Sequence, residues 1–173
     1  MIEYVPVDLN IHKSLLLDLN DEYLSWIGDE IKKHYNLDVF SILGQSIRDY
    51  AEKSVEELTS YRPPEGIFYI LQINNKIIGM GAFRKLNDNT GEVKRMYIRK
   101  DFRGNGYGKA LLKQLLNTGK KFGCSRILLD TGRFMSAAQY IYRSAGFQEI
   151  NKYPETEVPL EMQPYWHYME KKL

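Results

Sequence analysis

Residues 92–130 hold a pattern that few folds accommodate. "EVKRMYI" (92–98) reads as a strand, Gly104, Gly106 and Gly108 interrupt regular structure, and Ala110, Leu111, Leu112, Leu115, Leu116 and Phe122 then recur at helical spacing. Lys120 and Lys121 fall in the last turn of that helix and Gly123 stops it, after which "RILLD" (126–130) reads as a short buried strand. A strand, a helix of four or more turns and a second strand form a crossover, so the two strands are expected to run parallel.

The flanks extend this unit into one α/β fold with a mixed sheet. Residues 2–8 ("IEYVPVD") alternate as a strand, with Pro6 pointing to an edge. Helical spacing runs from Ile11 to about Tyr35, and a second helix is expected over 42–60, ended by Pro63-Pro64. "FYILQI" and "KIIGMGAF" flank Asn74-Asn75, a two-residue hairpin turn, and "LNDNTG" (86–91) turns the chain into the strand at 92. A last helix is expected over 135–145, closed by Gly146, followed by closing strands in "FQEI" and "YWHYMEKKL". The sum is an antiparallel meander followed by a βαβ unit.

Composition narrows the function classes. A chain of 173 residues with no linker, repeat or low-complexity segment reads as one domain, able to bury roughly two-thirds of its unfolded surface. Its 24 basic and 22 acidic side chains leave +2, too little to argue for a nucleic-acid partner. The single cysteine, Cys124, precludes an intramolecular disulfide framework, and no window approaches the ~20 apolar residues of a membrane span. "MIEYVPVDLNIHK" lacks the pattern of a signal peptide, so a cytoplasmic location is expected.

The three glycines raise the question of what approaches this backbone. A Gly-rich turn at a helix N-terminus exposes unpaired N–H groups at the positive end of the helix dipole, a setting for phosphate, and Arg103 and Lys109 add charge. The Walker A spacing fails: Gly108-Lys109 is followed by Ala110, and Arg103 takes the place of the first glycine. The dinucleotide fingerprint fails as well, because Gly-x-Gly-x-x-Gly counted from Gly104 ends on Lys109. What fits is Arg-x-x-Gly-x-Gly, through Arg103, Gly106 and Gly108.

In "GEVKRMYIRKDFRGNGYGKALL" and in "SAAQYIYRSAGF" (136–147), through Ala138, Tyr142, Gly146 and Phe147, the chain resembles the GNAT superfamily of N-acetyltransferases. The terminal "HYMEKKL" is similar to that family's last strand, so the resemblance spans roughly residues 65–173. It implies one acetyltransferase domain over 1–173, with an acetyl-CoA-binding core at 65–173 and a variable helical region at 1–64 on the acceptor side. It also implies acetyl-CoA as co-substrate, no metal, a small-molecule or peptide amine as acceptor, no nucleic-acid or membrane partner, and a possible homodimer. The backbone of Met96, Tyr97 and Ile98 would bind the pantetheine arm, with an N–H near residue 96 polarising the thioester carbonyl. Arg103, Gly104, Asn105, Gly106, Tyr107, Gly108 and Lys109 would surround the pyrophosphate. Met135 stands where the family often has an asparagine.

Two candidate catalytic groups follow from the resemblance. Tyr142 matches the tyrosine that protonates the departing thiolate, and a core aromatic is its bland alternative. Glu92 matches a position where some members place a carboxylate base; a solvated strand-end glutamate paired with Lys94 or Arg95 is the equal alternative. Cys124, at a helix C-terminus where the dipole opposes a thiolate, reads as an inert thiol, and His12, His34 and His167 share no metal-ligand spacing. A CoA-binding regulatory module without turnover is the competing function, and a different nucleotide-binding enzyme is disfavoured by the failed spacings.

Overall fold

The computed structural model describes residues 1–173. Seven strands and five helices follow in the order β1 (Ile2–Pro6), α1 (Leu9–Tyr35), α2 (Val39–Leu43), α3 (Ile47–Ser60), β2 (Gly66–Ile73), β3 (Lys76–Lys85), β4 (Thr90–Ile98), α4 (Tyr107–Lys121), β5 (Arg126–Gly132), α5 (Ser136–Ser144), β6 (Gln148–Ile150) and β7 (Trp166–Lys172). They form one sheet ordered β1-β2-β3-β4-β5-β7-β6, antiparallel except for the β4–β5 pair. The β2–β3 hairpin turns on Asn74 and Asn75, both at positive φ (49° and 62°), which asparagine tolerates better than branched residues.

The helical region departs from expectation at one point. In place of a single helix over 42–60 there are two, α2 and α3. Gly44, at φ +63°, ends α2 in the left-handed conformation, and the Ser46 side chain then caps α3 by accepting from the Asp49 N–H.

Alternation along the central strands distributes the core over both faces of the sheet. Leu71, Ile78, Phe83 and Ile127 pack with Leu111, Leu112 and Leu115 of α4 on one face. Phe68, Ile70 and Met80 pack with Leu16 and Leu19 of α1 and Val55 and Leu58 of α3 on the other. Replacing any of the fully buried leucines with alanine would cost about 2–5 kcal/mol, so the sheet is a stiff platform.

Two irregularities of β4 break that platform. Its parallel pairing with β5 covers only Thr90↔Arg126, Gly91↔Ile127 and Glu92↔Leu128. Beyond Glu92 the strands part, and β5 continues paired to β7 as far as Gly132. On the other side, Met80 faces Tyr97 while Ala82 faces Lys94, so Arg95 and Met96 together oppose Gly81 in a bulge. Arg95 carries the strain of that bulge at φ +54°.

Candidate active site

A cavity of about 940 Å³ opens where β4 and β5 part. Residues 93–98 of β4, the glycine loop, Asp130 and Thr131 of β5 and the inner face of α5 line one side of it. Tyr23, Trp26 and Ile27 of α1, Val39 and Leu43 of α2, and Ile47 and Tyr50 of α3 line the other. Glu157, Val158, Pro159 and Met162, from the Pro-bearing segment before β7, line the cavity as well.

The backbone geometry of the glycine loop leaves amides free to meet an anion. Gly104 and Gly106 sit at φ +82° and +79°, and a Cβ on either would meet nothing within 4 Å, so conformation rather than space demands glycine there. Gly106 caps α4 without a side-chain acceptor, and the first turn carries no acidic residue. Ala110 is the first residue to donate within the helix, to the Gly106 carbonyl at 3.0 Å, which leaves the amides of Tyr107, Gly108 and Lys109 without an intrahelical acceptor. Gly108 is needed for closeness, since a Cβ on it would lie 3.1 Å from Ile141 Cδ1 of α5. Arg103 donates through Nε to the Ile98 carbonyl at 2.9 Å and lays its guanidinium 4.8 Å from the Trp26 ring centroid. Asn105 does not line the cavity; its Nδ2 donates to the Phe102 and Arg103 carbonyls and props the loop.

Tyr142 and Glu92, paired as catalytic candidates by the sequence, fall in different places. Tyr142 is buried against Phe147 yet lines the cavity, and burial pushes its phenol above the ordinary tyrosine value, so it stays protonated at neutral pH. Glu92 is fully buried and does not reach the cavity. Its carboxylate accepts from Arg84 Nε at 2.7 Å and from the Tyr153 hydroxyl at 2.7 Å, a buried ion pair rather than an accessible base. The alternative of a solvated strand-end glutamate paired with Lys94 or Arg95 does not hold either: Glu92 is fully buried, its close partner is Arg84, Lys94 lies further off at 3.8 Å, and Arg95 bonds Ser54 instead.

Two acids do line the cavity, Asp130, at the far end of "RILLD", and Glu157. Trp166 Nε1 donates to Asp130 Oδ1 at 3.0 Å, and the Tyr153 hydroxyl lies 3.3 Å from Asp130 Oδ2. A phenol has one proton, and Tyr153 gives it to the closer Glu92, so Oδ2 is left as an open acceptor. Burial, with the Glu92 charge adding to it, raises the Asp130 carboxyl above its ordinary value, while the Lys94 charge and the Trp166 hydrogen bond pull it part of the way back. Sequence reading missed this residue because a lone aspartate closing a short apolar strand carries no local sign of function. Glu157, the other acid of the cavity, is committed elsewhere: burial would raise it, but ion pairs with Lys94 and Arg84 outweigh that and hold it low.

Residues 30–147 match the model of the acetyltransferase (GNAT) family, more than half of the chain. The chain belongs to the GNAT acetyltransferase family. GNAT proteins use acetyl-CoA. An IAA acetyltransferase from Azospirillum brasilense is 29% identical over 119 residues, 68% of this chain and 74% of that protein. N-acetylaspartate synthetase from Rattus norvegicus is 32% identical over 90 residues, 51% of this chain but only 30% of its own length, so the chain spans about a third of that relative. Among solved structures, the PaiA N-acetyltransferase of Thermoplasma acidophilum in complex with coenzyme A superposes with a TM-score of 0.71, covering 100% of this chain and 99% of that one. At 18% identity that likeness shows the GNAT fold and no more.

The remaining residues singled out from the sequence divide between the cavity and other parts of the fold. Met96 and Ile98 line the cavity, and the buried Tyr97 packs its ring 5.4 Å from Tyr23. Met135, in the place of the frequent GNAT asparagine, lines the cavity and caps α5 with no side-chain hydrogen bond to the helix; its thioether accepts from Thr131 Oγ1 at 3.5 Å. Cys124 is buried away from the cavity, with its thiol pushed up by burial. His12 accepts from the Asp8 N–H, His34 pairs with Glu30 and His167 with Glu149, so the three histidines are apart and engaged. No helix is long and apolar enough to cross a membrane.

Proposed function

We propose that this GNAT protein transfers the acetyl group of acetyl-CoA to a primary amine by direct attack within a ternary complex. The observation that carries this reading is the loss of β4–β5 pairing beyond Glu92 and Leu128, which opens a passage from the uncapped α4 N-terminus to the Tyr142 side chain. In this reading the amides of residues 107–109, with Arg103 and Lys109, hold the pyrophosphate. The pantetheine arm lies along Met96–Ile98, and the N–H of Met96 polarises the thioester carbonyl.

The roles of the side chains follow from atom balance. The amine nitrogen forms the amide bond as the carbon–sulfur bond breaks, the nitrogen sheds a proton, and the thiolate takes one up. Asp130 accepts the first through its open Oδ2, and once protonated it donates to the Tyr153 oxygen, which stabilises the new state. Tyr142 supplies the second. Glu92 acts at one remove: it fixes the Tyr153 hydroxyl and so positions Asp130. Residues 1–64 form the acceptor-side wall through α1, α2 and α3, and the whole chain acts as one catalytic domain.

Steady-state release of the CoA thiol with a panel of amines tests the reading against a CoA-binding module without turnover. Tyr142→Phe keeps the ring but removes the proton, so turnover should fall by about 10²-fold while acetyl-CoA affinity stays near wild type. Undiminished turnover in Tyr142→Phe would show that solvent protonates the thiolate.

A further inference from the structure

One cation of the cavity has no acid to pair with and stands apart from the phosphate loop. Arg48, Arg84, Arg99, Arg126 and Arg143 each pair with a carboxylate of the protein. Lys94, also in the cavity, is committed to Glu157. Arg95 is half-buried, lines the cavity and meets only a neutral acceptor: its Nε and Nη2 both use Ser54 Oγ, at 3.1 and 2.6 Å. Its guanidinium is held in place by the rings of Tyr50 and Tyr23, with centroids 5.5 and 6.0 Å away. A hydroxyl leaves the charge uncompensated and the Nη1 edge of the fork unused. A half-buried cation in such a setting is short of an anion.

The position of Arg95 identifies which anion. Its supports come from α1 and α3, the acceptor side, whereas the pyrophosphate site is served by Arg103 and Lys109. The bulge that places it there holds a side-chain-bearing residue at φ +54°, a conformation adopted at a cost in strain. Asp130 supplies the opposite charge within the same cavity, and Ile27, Val39, Leu43 and Ile47 give the space around them an apolar wall.

We propose that the acetyl acceptor is an amine that also carries a carboxylate, an amino acid with an apolar side chain being the simplest case. Arg95 binds its carboxylate through the guanidinium fork, and Asp130 faces its amino group. This rests on the acetyl-transfer reading above and adds the class of acceptor to it.

Matched pairs test it: leucine against 3-methylbutylamine, and phenylalanine against 2-phenylethylamine, each with saturating acetyl-CoA and thiol release as the readout. The amino acid should exceed its decarboxylated partner by about 10- to 100-fold in kcat/KM, chiefly through KM, as expected for a charge-assisted contact. In Arg95→Gln that ratio should collapse towards one, and Arg95→Lys should restore part of it; acetyl-CoA affinity reports whether each variant is folded. Equal kcat/KM for the two members of each pair in the wild-type protein would overturn the proposal while leaving acetyl transfer standing, and needs no variant. An undiminished ratio in a folded Arg95→Gln variant would overturn it too. Failure of every amine and amino acid to be acetylated would remove it together with the reading on which it rests.

Discussion

Asp130 and Glu92 both reach the Tyr153 hydroxyl, and what separates them is access and countercharge. Glu92 faces a buried guanidinium; Asp130 faces a cavity. Asp130→Asn should lower turnover by about 10²-fold or more and abolish the rise of kcat/KM with pH that a base of raised pKa produces. The same substitution should stabilise the protein. Because burial raises the folded-state pKa, the unfolded chain ionises first as pH climbs, and wild-type stability falls between the ordinary carboxyl value and the raised one. A neutral asparagine escapes that loss, so its gain in melting temperature should be larger at pH 7 than at pH 4. A destabilised Asp130→Asn variant with an unchanged pH profile would contradict the assignment. For Glu92 the expectation is opposite: Glu92→Leu leaves the buried Arg84 with only its half-exposed partners Glu57 and Glu157, and urea unfolding should show a loss of about 3 kcal/mol. Full stability combined with a turnover defect that recovers at high pH would make Glu92 the base after all.

The elements that build the site differ in how they were written in the sequence. The α4 loop was legible because its constraints are local: glycine spacing, flanking cations and a leucine stripe all fall within one short segment. Gly106→Val would force a branched residue to φ +79° at the mouth of the phosphate site. It should weaken acetyl-CoA binding by at least tenfold in calorimetric titration, and unchanged affinity would remove the loop from the binding site. The split of residues 42–60 was missed although its signals are local: Gly44 and Ser46 are a stop and a start two residues apart. The bulge at Arg95 and Met96 was not legible. Its backbone conformation is one that arginine rarely adopts, and it is imposed by register against β3 rather than by any local preference.

At the scale of the whole molecule, the sheet does two jobs. Its meander half gives α1, α3 and α4 a rigid surface on which to pack, and its parting between β4 and β5 leaves a gap at the cavity. The crossover, the order of elements and the glycine loop could be read from sequence because they depend on neighbours in the chain. The acceptor side could not, because Arg95, Asp130, Glu157 and Tyr153 come from separate segments and meet only when the sheet forms. The central claim is that the gap between β4 and β5 is where the thioester reacts, and a crystal structure with acetyl-CoA bound tests it most directly. The account predicts the pyrophosphate on the amides of residues 107–109, the thioester carbonyl within hydrogen-bonding distance of the Met96 N–H, and the sulfur within reach of the Tyr142 hydroxyl. A pantetheine arm lying outside the gap, with its sulfur turned away from Tyr142, would contradict it.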